Sequence, residues 1–272
     1  MAQSIAVNLA GAAVPPGPAV SCRHISKNYG ILDGEHSADI LKDVNLDIEE
    51  GDFRILIGKS GCGKSTLLNI LAGLSRPTKG EVLVYGNKVR KAGKNRGVIF
   101  QNADAALFPW KTVRGNVEYG LKMQKTEKKK RRETAEKYIE LVGLKDHADK
   151  YPDELSGGMK QRLQIARALA GNPDILIMDE PFGALDAHTR RILQSELLHI
   201  WKETGKTIIF VTHDISEAIL LGKNISIMSM SPNATIYQNY EVDLSYPRND
   251  RSREFLDLRD RVQAHFDYGA GI

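Results

Sequence analysis

The sequence is poor in cysteine and has no long apolar run, and both absences narrow the reading. Its two cysteines, Cys22 and Cys62, lie far apart and form no Cys-x-x-Cys pair, so neither a structural zinc site nor a disulfide framework is indicated, and a reducing cytoplasm fits. No stretch approaches the 18 or so consecutive apolar residues needed to cross a bilayer, so any membrane association has to come through a partner. Residues 1–19 carry Ala, Gly and Pro but no basic residue ahead of their apolar part, which is wrong for a secretory signal and reads as a disordered leader. The charge excess is small, 38 basic against 34 acidic side chains, and gives no footprint for nucleic acid. The 272 residues, 42% of them hydrophobic, suffice for one large α/β domain with a subdomain inserted in it.

Short apolar runs at residues 54–57, 98–100, 175–178, 207–212 and 225–228 read as strands buried on both faces. Alternating with helical patterns, they predict a largely parallel sheet covered by helices. Between Gln101 and Ser156 the pattern turns helical: Ala135, Tyr138, Ile139 and Val142 recur at helical spacing, with Gly143 as a stop. A further helix begins near Gly158, carries Leu163, Ala166, Leu169 and Ala170 on one side, and ends at Gly171. In the tail, Phe255, Leu258, Val262 and Phe266 predict a terminal amphipathic helix. The basic run 125–132, diluted by Glu127, Glu133 and Glu136, reads as a solvated face.

The segment Gly58-Lys59-Ser60-Gly61-Cys62-Gly63-Lys64-Ser65 is a complete G-x-x-x-x-G-K-S phosphate loop, preceded by a strand and continued from Thr66 to Leu74 as a helix. Its glycines allow the tight turn that aims backbone N–H groups at phosphate oxygens, and the helix N-terminus adds a favourable dipole. Lys64 is expected at the β- and γ-phosphates and Ser65 at Mg²⁺. Cys62 reads as a spacer, with its thiolate favoured by the helix terminus and open to alkylation. The run Ile175-Leu176-Ile177-Met178-Asp179-Glu180 ends an apolar strand in two carboxylates, where α/β sheets gather ligands. Asp179 is placed to hold Mg²⁺ and Glu180 to accept a proton from an attacking water.

The segment Leu155-Ser156-Gly157-Gly158-Met159, followed by Lys160-Gln161-Arg162 and lying upstream of Asp179 and Glu180, resembles the signature of ATP-binding-cassette proteins. Met159 stands where the family more often has Gln. Ser156 and the two glycines open a helix and so form a second anion cradle. The resemblance covers roughly residues 20–228. It implies that each ATP lies between the phosphate loop of one subunit and the signature of another, hence a pair of ATPase subunits. It also implies roles for Tyr29 (stacking on adenine), Gln101 (sensing the γ-phosphate and Mg²⁺), His213 (the switch histidine) and Asp186 (the loop joining the half-sites). The loop 31–39 is longer than the family pattern and loosens the assignment of Tyr29.

The expected architecture is therefore a phosphate-loop NTPase core with a mixed, largely parallel sheet, an antiparallel β portion and an inserted helical subdomain at about 102–165. The ATPase domain is placed at 20–240 and a helical tail at 241–272. Leu107-Phe108-Pro109-Trp110 and the tail 247–266 resemble the ATPases of nitrate, sulfonate, taurine and bicarbonate importers. The resemblance implies ATP and Mg²⁺ as ligands, permease subunits and an extracytoplasmic solute-binding protein as partners, and a peripheral position on the cytoplasmic face of a prokaryotic inner membrane. Phe108 and Trp110 could equally anchor a partner or fill the subdomain core. A cassette ATPase of a non-transport complex usually carries two cassettes, a long coiled coil or a zinc module, none of which is in this sequence. A binding-only regulator is disfavoured by Glu180 and His213.

Overall fold

A computed structural model of the chain describes residues 17–30, 39–183 and 185–268. Residues 1–16 of the expected leader and residues 31–38 of the long loop lie outside these. Ala19 is already fully buried next to the first strand.

Two sheets build the molecule. The antiparallel one has the order β2-β1-β4-β5, from β1 (Val20–Lys27), β2 (Leu41–Ile48), β4 (Lys79–Val84) and the short β5 (Asn87–Lys88). The second contains β3 (Phe53–Ile57), β6 (Arg96–Ile99), β7 (Ile175–Asp179), β8 (Thr207–Thr212), β9 (Asn224–Met228) and β10 (Ile236–Glu241), in the order β10-β9-β3-β8-β7-β6. Every pairing in it is parallel except that of the edge strand β10.

The five predicted strands are all in this sheet, and their continuous apolar character has a simple cause. Along β3, Phe53, Ile55 and Ile57 enter one core while Leu56 enters the other; along β8, Ile208 and Phe210 part from Ile209 and Val211 in the same way. Successive side chains point to opposite faces, and here both faces are covered. One core lies under α1 (Lys64–Ala72) and the antiparallel sheet, the other under the remaining helices.

Between β6 and β7 run α2 (Ala103–Ala106), α3 (Val113–Met123), α4 (Lys128–Leu141) and α5 (Gly157–Ala170). Gly143, with φ +66°, follows α4 as its stop. The helix expected to run to Leu74 ends two residues earlier because Gly73 turns left-handed (φ +79°) and bonds back to Asn69 and Ile70.

After β7 come α6 (Ala187–Thr204), β8, α7 (Ile215–Leu221), β9, β10 and α8 (Arg253–Tyr268). In α8, Phe255, Leu258 and Val262 are buried and Phe266 is partly buried, as the tail pattern predicted. The stretch leading into it is fastened by Arg248, which donates to the carbonyls of Ile219 (2.5 Å) and Gly222 (2.6 Å) at the end of α7.

Candidate functional site

The phosphate loop joins β3 to α1 at the carboxyl end of the parallel strands. Gly61 and Gly63 have φ of +81° and +94°, a backbone that side chains resist. At Gly63 a Cβ would also stand 2.8 Å from Leu41 Cδ2, so glycine is required there twice over. Gly63 opens α1 without any side-chain cap, and the first turn contains no acid. The amides at the start of α1, over Lys64, Ser65 and Thr66, are thus not claimed by a capping side chain. Ser60 and Lys59 complete the loop; the Lys59 carbonyl accepts from Cys62 N–H at 3.3 Å.

Lys64 is buried, and its Nζ donates to the carbonyls of Gly58 (2.6 Å) and Lys59 (3.0 Å). The loop is thereby tied by its own lysine. Cys62 corrects the sequence reading. Its side chain is fully buried in the core beneath the antiparallel sheet, and its Sγ would lie 2.6 Å from a Cβ at Gly58. Burial pushes the thiol up, outweighing the opposing pull of Lys64, so it is a packing residue rather than a reactive thiolate.

Asp179, at the end of β7, is hydrogen-bonded to the Ser65 side chain; burial raises its carboxyl above the usual range, with that bond and Lys64 opposing and Glu180 adding to the rise. The next residue turns sharply. Glu180 has φ +44°, and its N–H donates to Val211 O at 3.1 Å. The side chain meets two others at one oxygen: Gln101 Nε2 donates to Oε2 at 3.4 Å, and His213 Nδ1 lies 3.1 Å from the same atom. Gln101 follows β6 and His213 follows β8, so three strand ends supply this cluster.

The segment 155–159 is built as the start of α5. Leu155 is buried as an anchor, and Ser156 caps the helix, its Oγ accepting from Met159 N–H at 3.4 Å. Gly157 faces open space, and Gly158 packs with only 3.3 Å between its would-be Cβ and Leu185 Cδ2. Met159 leans on the core. Asp186 acts within its own helix. Its carboxylate caps α6, accepting from His188 N–H (3.1 Å) and Thr189 N–H (3.0 Å), and the Thr189 bond first among these holds its carboxyl below the usual range. Tyr29 is 59% exposed, with Lys27 Nζ 4.7 Å from its ring centroid.

The two aromatics left open by the sequence divide. Phe108 packs 4.5 Å from the Tyr119 ring with the Arg167 guanidinium 5.4 Å from its centroid, whereas Trp110 is 71% exposed. Trp110 borders an open groove of about 630 Å³ lined also by Arg114, Asp149, Tyr151 and Glu154. Sequence reasoning missed Gln164 and Asn116, both fully buried amides. Asn116 holds the Phe108 backbone at both its N–H (2.9 Å) and its carbonyl (3.1 Å). The available signal was a polar residue interrupting an apolar helical stripe.

The arrangement suits Mg²⁺ with a triphosphate. One carboxylate and one hydroxyl meet beside the uncapped amides at the start of α1, and among the described residues no cluster of three His, Cys, Asp or Glu side chains offers a closed metal cage. Mg²⁺ characteristically takes few protein ligands and completes its shell with phosphate oxygens and water. The sequence model of the family described as "ABC transporter" matches residues 41–183, more than half of the chain. The chain belongs to the ABC transporter family. It is accordingly an ATP-hydrolysing cassette.

Among its relatives, this ABC cassette is 45% identical over 253 residues to the aliphatic sulfonates import ATP-binding protein SsuB of Bacillus thuringiensis subsp. konkukian, covering 93% of this chain and 98% of that one. It is 47% identical over 222 residues to an uncharacterized ABC transporter ATP-binding protein of Methanocaldococcus jannaschii, covering 82% of each. Among solved structures it resembles the ATP-binding cassette MJ0796, a dimer in a post-hydrolysis state bound to ADP and Pi. The TM-score is 0.75 at 34% identity, over 83% of this chain and 100% of that one.

Proposed function

We propose that this cassette powers the import of a small anion, with aliphatic sulfonates the first class to test. It does so as a pair of ATPase subunits under separate membrane-spanning permeases, on the cytoplasmic face of a prokaryotic inner membrane. An extracytoplasmic solute-binding protein delivers the cargo. The observation that carries the catalytic part is the convergence of Gln101 and His213 on Glu180, beside the Ser65–Asp179 contact. The cargo class is supported by the sulfonate-import relative. Nitrate, taurine and bicarbonate remain within the same reading. Among the described residues no helix is long and apolar enough to cross a membrane, so transport requires such a partner. The groove beside Trp110 is the surface through which permease contact is proposed.

In the proposed cycle Tyr29 stacks on adenine and the amides 58–66 with Lys64 take the phosphates. Ser65 and Asp179, with Gln101 beside them, hold Mg²⁺. When bound, Mg²⁺ neutralises charge on the phosphate oxygens. Glu180 takes the proton of the attacking water, and its neighbours Gln101 and His213 keep that carboxylate in place. Ser156 and its glycines supply the second cradle to the nucleotide of the partner subunit, with Asp186 in the loop between half-sites.

Replacing Glu180 with Gln keeps the shape and removes the base. Hydrolysis should fall by at least about 10²-fold while MgATP still binds and an ATP-held dimer accumulates in light scattering. A Glu180→Gln chain that turns over like its parent would refute the catalytic assignment. For the cargo, the chain should be co-purified with its membrane partners and its ATPase activity measured against sulfonates, taurine, nitrate and bicarbonate. Stimulation by none of these, or absence of any membrane-spanning partner, would sink the import reading.

A further inference from the structure

Gln164 lies on α5 two turns beyond Ser156, about 12 Å along the axis at 1.5 Å per residue, and its side chain is fully buried. It spends both ends of its amide on one residue of another segment. Phe100 N–H donates to Gln164 Oε1 at 2.5 Å, and Gln164 Nε2 donates to Phe100 O at 2.8 Å. Phe100 is the first residue past β6, where ladder bonding has stopped and backbone groups need other partners. The amide of Gln164 acts there as a one-residue continuation of the sheet.

Two further residues on the same side of α5 grip the same segment. Lys160 Nζ bonds Asp104 Oδ1 at 2.6 Å, and Arg167 Nη1 donates to Ala106 O at 2.6 Å. Positions 160, 164 and 167 follow helical i, i+4, i+7 spacing. Gln101 and Asn102 are left exposed between these anchors. Gln101 is the residue whose amide reaches Glu180, and a one-residue shift of its backbone would remove that contact.

We propose that Gln164 is a positioning residue for hydrolysis: by holding both backbone groups of Phe100 it fixes where Gln101 presents its amide to Glu180. The inference rests on the roles proposed above for Gln101 and Glu180. Because the same helix begins with Ser156, the tether makes the Gln101 segment and the second anion cradle one rigid piece.

Two substitutions test this in the full chain. Gln164→Leu is close in volume and removes both bonds; kcat should fall about tenfold with the KM for ATP unchanged. Protection of the Phe100 amide against hydrogen exchange should fall too, a readout that needs no turnover. Gln164→Glu keeps the acceptor for Phe100 N–H but, ionised, sets a carboxylate against Phe100 O. Protonation restores a donor, and burial raises the pKa of such a group, so its turnover relative to the parent should climb as pH drops from about 8 to about 6. The same ratio for Gln164→Leu should stay flat, and thermal midpoints recorded over that range separate loss of fold from loss of position. If Gln164→Leu does not fold, the Gln164→Glu pH ratio decides alone.

Parent-like kcat in Gln164→Leu, or a flat ratio in Gln164→Glu, would overturn the proposal. A Glu180→Gln chain assayed alongside separates the two readings. If it alone retains hydrolysis, the base assignment fails, whereas Phe100 exchange protection still reads whether Gln164 holds that backbone.

Discussion

Lys64, Ser65 and Asp179 are engaged with one another's segments, whereas Tyr29, Gln101, Ser156 and His213 are exposed beside the ends of four different elements. The engaged set lies at the start of α1 and the end of β7, with Lys64 buried, Asp179 half-buried and Ser65 at the surface, so its geometry follows from where that strand and helix end. The exposed set is held by single caps or contacts, such as the Ser156–Met159 bond and the pair of approaches to Glu180. On the function proposed above, the difference separates a phosphate-binding floor that one chain completes alone from what a second subunit finishes. Exposed side chains carry more conformational freedom, so their contribution arrives only when something orders them.

This contrast can be broken from the engaged side first. Lys64→Ala removes a buried cation that is aimed along the loop, and the affinity for ATP by calorimetry should drop by about 10²-fold or more. Affinity within threefold of the parent would move the phosphates elsewhere. From the exposed side the expected effect is smaller: Tyr29→Ala should weaken ATP by about tenfold, the value of one lost base stack, and Tyr29→Trp should preserve binding. Unchanged affinity in the Ala variant would take Tyr29 out of the site.

The smallest effect concerns stability of the ligand-free chain. Burial lifts Asp179 above its unfolded value, so between the two values the folded chain holds a proton that the unfolded chain has released. Stability from this group therefore declines as pH rises through that window, and the penalty is complete above it. Asp179→Asn should raise Tm at neutral pH by about 2–4 °C, with no gain below the ordinary carboxylate pKa, where both states are neutral. Added Mg²⁺ and ATP should reverse the ranking. An Asn variant that melts lower at neutral pH without ligand would show that the Ser65 bond outweighs the burial.

How much of this was legible in the sequence depended on whether a residue's environment is local. The parallel strands read clearly because burial on both faces writes an unbroken apolar run, and the phosphate loop because its glycines answer to backbone conformation. Strands β1, β2, β4 and β5 were foreseen only as an unspecified antiparallel portion. None of them is a run buried on both faces from end to end, and the pairing of β1 with β2 is broken by register shifts near His24 and Asp43, both at positive φ. Cys62 was misjudged because a helix terminus favours a thiolate only where solvent reaches it, and the folding of the loop over the sulfur is a tertiary fact. Arg248 was invisible for the same reason, since an Arg in a tail ordinarily reads as surface, and Gln164 was passed over because only its place in an apolar stripe set it apart from a surface Gln. The binding-floor residues are adjacent in sequence to strand ends, while Gln101 depends on partners far along the chain, Glu180 directly and Gln164 through Phe100.

Glu180 carries one more consequence. Its left-handed backbone, φ +44°, is a conformation that glycine or asparagine adopts at lower cost and glutamate does not favour. A lineage selected for heat resistance alone would gain by replacing it and, on the role proposed for Glu180, would lose turnover in the same step. Position 180 is thus where adaptation to temperature and adaptation to speed pull against each other, and gains in robustness have to be found elsewhere in the chain.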